Sequence, residues 1–180
     1  MKVPAFPRFR RLIRNRRGLA ALEFALVAPL LVLLLFGSVE LTEVLNCNRR
    51  AENTTASLAD IVARDTEITN QELADLWSAA SSLMFPNSTS PLKMRISSVR
   101  ILSATQAQVL WSDGYNGYTA RAPNSPITLP AGMMTPNTSI IVAETSYQYT
   151  PPIGVFLNVA FPLDHIEYRR PRIADPVTRG

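Results

Sequence analysis

The side chain most out of place in this sequence is Glu23. It lies in an otherwise apolar run, five residues after Gly18 and directly before Phe24. A carboxylate deep in a bilayer costs roughly 2.5–3.5 kcal/mol on insertion scales, so intramembrane acids are rare and usually functional. At the first turn of a helix that cost shrinks, because the helix N-terminus favours negative charge. The competing reading is an ordinary anchor whose glutamate simply reaches the polar interface. The other candidates for chemistry are isolated. His165 has no histidine or cysteine neighbour in sequence to complete a zinc site, and Cys47 is the single cysteine, a free thiol or a bond to a second chain. Asp113 and Asn116 lack the spacing and closing glutamate of a calcium loop and read as a turn. Glu40/Glu43 and Asp60/Asp65 read as solvated helix faces. No phosphate-binding loop, zinc-protease or serine-hydrolase motif occurs, so no enzyme, cofactor, metal site or small-molecule substrate is expected.

The element that must position Glu23 is a membrane helix. Residues 24–39, FALVAPLLVLLLFGSV, are sixteen residues without a charge, and extension back to Leu19 gives twenty-one with only Glu23 charged. At 1.5 Å per residue that helix is about 31 Å long, close to the hydrocarbon thickness. It has no polar face, which argues against a soluble helix, and Pro29 and Gly37 are tolerated in lipid. Ala21, Ala25 and Ala28 place small side chains along one face, roughly opposite Glu23, where a neighbouring helix can pack closely.

Charge orients the span. Residues 1–18 hold Lys2, Arg8, Arg10, Arg11, Arg14, Arg16 and Arg17 and no acid, leaving 11 basic and 14 acidic side chains in the rest of a chain of net charge +4. Basic residues stay on the cytoplasmic side, so the N-terminus is expected inside and residues beyond about 45 outside. A nucleic-acid-binding protein would carry its positive charge on the folded part, so nucleic acid is not an expected partner. Secretory, lipoprotein and twin-arginine signals fit poorly. No A-x-A site follows the run, Asn46 precedes Cys47 unsuitably, and Arg16-Arg17 lacks the rest of its pattern.

The basic leader, Gly18 and Leu19-Ala20-Ala21-Leu22-Glu23-Phe24 with its leucine-rich helix resemble a type IV prepilin N-terminus. More narrowly, RRGLAALEFALVAPLLVLLLFGSVEL resembles the TadE-like family of tight-adherence pilus assembly proteins over about residues 16–46. TadG-like proteins share a similar anchor but usually carry a much larger outer domain. The resemblance implies a bacterial inner-membrane protein, pilin-like, cut between Gly18 and Leu19 by a prepilin peptidase. Its implied partners are that peptidase, other pilin-like or pilus assembly subunits, and the lipid bilayer. Cutting would remove the leader charges and free an amine on Leu19, one helical turn from Glu23. The amine of a neighbouring chain would then hold Glu23, making Glu23 and Phe24 assembly residues and Glu23 a register pin. The alternative is an uncleaved, membrane-anchored extracytoplasmic binding or adhesion protein.

Beyond the span the expected class is α+β: a long N-terminal transmembrane helix extending into a second helix, with a small antiparallel β-sheet in the C-terminal half. The expected divisions are a leader 1–18, a span 19–45, an extracytoplasmic helical segment 46–90 and a β-rich domain 91–180. The segment 48–64 lacks Gly and Pro and continues the helix. Thr69 and Glu72 form a capping box for a second helix whose Leu73, Leu76, Trp77, Ala80, Leu83 and Met84 recur at core spacing. Strands are expected at 93–102, at 106–112 with Ala107, Val109 and Trp111 on one face, and at 139–150. In the last, Ile141, Ala143, Tyr147 and Tyr149 oppose Glu144, Ser146 and Gln148. The segment 113–117 reads as a turn and 166–169 as a final strand. The apolar segment 153–161 is too short to span a bilayer; core is its default place, with a membrane-touching segment or a subunit contact as the alternatives.

Overall fold

The computed structural model describes residues 18–154 and 156–180, so the leader before Gly18 lies outside the described residues. Helix α1 runs unbroken from Leu19 to Val62 through Pro29. Its two halves differ in what they bury. Up to Val39 no residue of it is buried, although nearly every side chain is apolar. From Glu40 onward one face is buried, through Cys47, Ala51, Thr54, Thr55, Leu58, Ala59 and Val62. That three-and-four spacing keeps one stripe facing inward. Most of these side chains are small, so the backbone lies close to the sheet, and Thr55 Oγ1 meets Thr145 Oγ1 at 2.6 Å.

Strand β1 (Glu67–Ile68) precedes helix α2 (Asn70–Leu83). The expected capping box is present: Thr69 Oγ1 accepts from Glu72 N, and the Glu72 carboxylate accepts from Thr69 N at 2.8 Å. Leu73, Leu76, Trp77, Ala80 and the following Met84 are buried as expected, whereas Leu83 is exposed. It falls just off the buried stripe at the last turn, beside the equally exposed Ile61 of α1.

The sheet contains β2 (Leu92–Ile101), β3 (Ala107–Tyr115), β4 (Ser139–Tyr149) and β5 (Phe161–Arg169), all antiparallel, in the order β3-β2-β4-β5. The last strand starts five residues before the expected one. Asp113-Gly114-Tyr115 pairs with β2 rather than turning, and the turn follows at Asn116-Gly117, both with positive φ. Asn116 is fixed by donating to Ser90 O and Leu92 O, each at 2.8 Å. Strand β3 also departs from strict alternation. Trp111 pairs with Ser98 and Val109 with Val99, leaving Leu110 as an extra residue. Such a bulge reverses the faces on either side of it. Trp111 therefore packs in the core under the helices, while Ala107 and Val109 pack on the opposite side.

Both faces of the sheet are covered. Leu92, Met94, Ile96, Ile141, Ala143, Tyr147 and Tyr149 meet α1 and α2. On the reverse, Val99, Ile101, Val109, Ile140 and Val142 lie with Leu129 and the half-buried Ile127, Met133 and Met134 from the long β3–β4 connection. That connection passes directly over β3. A Cβ on Gly114 would sit 1.8 Å from Tyr118 O, so only glycine fits there. Glu144 points to this reverse side, as its parity requires, but is 3% exposed rather than solvated. It accepts from Arg95 Nε (2.7 Å) and Nη2 (2.8 Å) and from Arg121 Nη2 (2.8 Å), with a further contact to Arg121 Nη1. Arg95 also lies 4.3 Å from the Tyr118 ring centroid and donates to Thr119 O at 2.9 Å. This carboxylate thus ties the connection to the sheet.

The C-terminal segment returns to the helices. Strand β6 (Thr178–Arg179) pairs in parallel with β1, and Trp111 Nε1 donates to Val177 O at 2.9 Å. Asp60, expected to be solvated, pairs with Arg64 and with Arg172 from this segment. Asp113 is paired with Arg179 at 2.9 Å.

Cys47 is buried in the helix–sheet core. Burial pushes its thiol up to about 11, with Arg50 opposing and Glu43 adding to the rise. A bond to a second chain would require opening this core. A maleimide reagent at about pH 8 is expected to leave the folded chain unlabelled and to modify one thiol in denaturant. Rapid labelling of the folded chain would contradict this placement.

Candidate functional site

Gly18 immediately precedes α1, with φ −88° and ψ −12° and no side-chain cap on the helix. Among the described residues nothing lies within 4 Å of the position where its Cβ would be. Leu19, Glu23 and Phe24 are exposed along the first turns. Ala21 and Ala25 are exposed and Ala28 is half-buried, on a helical stretch of which no residue is buried among the described residues. The residues singled out from the sequence thus share one helical stretch, with Glu23 and the three alanines on roughly opposite sides of it. Glu23 lies four residues from Leu19, which puts their side chains one turn apart on the same side. A helix start without a capping side chain leaves its first N–H groups without intrahelical partners, the situation that favours a nearby anion.

The whole helix from Leu19 is long and apolar enough to cross a membrane, and its most apolar window is entirely unburied. Unburied leucines in such number are costly in water and are satisfied by lipid or by other helices. One long apolar N-terminal helix of this kind fits a single-pass membrane anchor.

A second feature sits where that apolar stretch ends. Glu40 is 2% exposed, not solvated as its sequence context implied. Its carboxylate accepts from the backbone N–H groups of Phe156 and Leu157, each at 3.0 Å. One turn earlier, a Cβ on Gly37 would lie 3.3 Å from Phe156 Cε2, so the absent side chain leaves room for the ring against α1. The expected core placement of the 153–161 segment holds only at its end: Ile153, Phe156 and Val159 are exposed, whereas Phe161, the first residue of β5, packs against the helix–sheet core. Sequence reasoning missed Glu40 because a glutamate three residues before another at the end of a helix face reads as a solvated pair. The neighbouring Gly37 was the available signal, since a glycine inside a helix needs a reason such as close approach.

Farther from the membrane stretch, His165 Nε2 meets Asn48 Oδ1 at 3.2 Å and joins β5 to α1. An open groove of about 560 Å³ lies beside α2, lined in part by Trp77, Phe85 and Tyr115. Trp77 and Tyr115 stack there with centroids 5.6 Å apart.

Neither a curated protein nor a solved structure matches the chain. Residues 18–60, which begin at Gly18 and take in nearly all of α1, match the model of the family described as TadE-like protein, the family that this segment's sequence resembles.

Proposed function

We propose that this chain is a pilin-like membrane component of a tight-adherence or type IV-like pilus assembly system, processed by a prepilin peptidase between Gly18 and Leu19. The observation that carries the reading is the family match, which starts at Gly18 and follows the exposed helix that bears Glu23 in its first turns. The basic leader stays in the cytoplasm, α1 spans the inner membrane, and the packed helix–sheet part lies outside. Cutting frees the Leu19 amine. A neighbouring subunit's amine then meets Glu23 within lipid, where an ion pair offsets the cost of the carboxylate. Glu23 fixes the axial register of adjacent helices, and the face of Ala21, Ala25 and Ala28 lets them approach closely.

The reading is tested in the bacterium. Deleting the gene is expected to abolish surface fibres, and restoring the chain with Glu23→Ala is expected to leave fibre number near the deletion level while the protein still accumulates in the membrane. Unchanged fibres in the deletion strain would overturn the functional reading, and full rescue by Glu23→Ala would overturn the register role. The open aromatic groove by Trp77 and Tyr115 favours a second reading, an uncleaved anchored binding or adhesion protein. That reading predicts an intact leader and indifference to Glu23→Ala.

A further inference from the structure

We infer that the 153–159 loop is a membrane foot: Ile153, Phe156 and Val159 enter the headgroup–acyl boundary of the bilayer spanned by α1, and Glu40 holds the loop at that depth. The inference rests on the membrane-anchor reading of α1 and adds a second point of contact with lipid.

Three observations fix the level and the occupant. The uncharged run ends at Val39, so Gly37 and Glu40 mark its outer end along the helix axis. The loop is fastened there, by Phe156 N and Leu157 N on the Glu40 carboxylate and by the Phe156 ring over Gly37. The segment from Pro151 to Ala160 carries no charged residue, and Ile153, Phe156 and Val159 are 44%, 53% and 66% exposed. The apolar surface of α1 continues past the same level through the exposed Leu41 and Leu45. An apolar loop joined to the end of a spanning helix is at the depth where interfacial segments bury their side chains. Lipid is therefore the occupant that the position selects, ahead of a second copy of the chain.

Glu40 suits this work. A carboxylate so close to lipid needs compensation, and the converging backbone N–H groups of Phe156 and Leu157 contribute to it. The anchor and the outer domain become joined at a second point, which limits tilting of the domain over the membrane.

The test uses the full chain in lipid vesicles, with an environment-sensitive fluorophore at one introduced cysteine and lipids carrying a quencher near the headgroup or in the acyl chain. The buried Cys47 stays in place. The probe at Val159→Cys is expected to lose about half its emission to the shallow quencher, as an interfacial side chain does. Leu30→Cys, within the span, should respond to the deep quencher. Ile173→Cys is the control outside the bilayer: it is exposed and follows Arg172, whose N–H is bound to Ala63 O at the far end of α1. Adding Glu40→Ala should reduce quenching at Val159 severalfold while Leu30 is unchanged. An unquenched Val159 beside a quenched Leu30 overturns the foot and leaves the anchor standing. An unquenched Leu30 overturns the anchor itself. Shielding of Val159 that disappears on dilution of protein in lipid assigns the loop to a second copy and also overturns the foot.

Discussion

Glu144→Ala is expected to lower the unfolding free energy of the detergent-solubilised chain by about 3 kcal/mol, seen as a fall in the urea midpoint at unchanged slope. The loss comes mainly from what remains. Arg95 and Arg121 side chains are 14% and 23% exposed, and both would be left half-buried without their shared carboxylate. Removing one partner of a buried pair leaves an uncompensated charge, a larger effect than the net worth of the pair. The estimate sits at the lower end of the range for such losses because both guanidinium groups retain some water. In a double-mutant cycle with Arg121→Ala the two losses should not add, since the same contact is removed twice. The pH dependence follows from the same geometry. Burial pushes the Glu144 carboxyl up, but the hydrogen bonds and charges of Arg121 and Arg95 outweigh it and hold the group below its ordinary 4.5. A carboxyl whose pKa falls on folding contributes stability that is complete above its unfolded value and is lost as pH falls through the folded one. The wild-type urea midpoint should therefore drop more steeply than that of Glu144→Ala from about pH 4.5 downward. Equal midpoints at neutral pH would show that the network contributes nothing.

Gly18→Arg is expected to convert the membrane population from almost fully processed to almost fully leader-bearing, read as a shift to the slower-migrating form on a gel. A peptidase that accepts the chain at the membrane edge needs a residue that bends freely and fills no space, and glycine meets both needs. The structure makes this substitution a clean one. Among the described residues nothing lies within 4 Å of a Cβ at Gly18, the packed domain included, and the backbone there has an ordinary negative φ. The variant should keep the wild-type melting behaviour, so a processing defect cannot be assigned to misfolding. Normal processing of Gly18→Arg would contradict the assignment of the cut to this bond.

The parts of the fold visible in the sequence are those with a period. The apolar run from Leu19, the Thr69/Glu72 capping box and the alternation of β4 each follow from local spacing, and each is where it was expected. What was hidden depends on chain returning from far away. The sequence places Glu144 on the face opposite Ile141 and Ala143, but nothing local says that the β3–β4 connection folds back over that face and brings Arg121 to it. Trp111 changes face because one extra residue, Leu110, interrupts the pairing, and a bulge leaves no periodic mark. The pairing of β1 with β6 involves two residues on each side, too few to show any alternation. The candidate site divides in the same way. Gly18 and Glu23 stand out because a glycine and a carboxylate are unusual at the head of an apolar helix. Glu40 does not, because the backbone N–H groups of Phe156 and Leu157 that it accepts from lie 116 and 117 residues later and carry no sequence signature.

On the proposed reading, processing creates a new amino terminus at Leu19, one turn from a carboxylate held in lipid. Intact-mass spectrometry of the wild-type chain extracted from its own membranes tests this most directly. The expected result is a single mature species beginning at Leu19, with all seven leader charges gone. A functional, fibre-bearing cell whose chain still carries Met1 or Lys2 would contradict it.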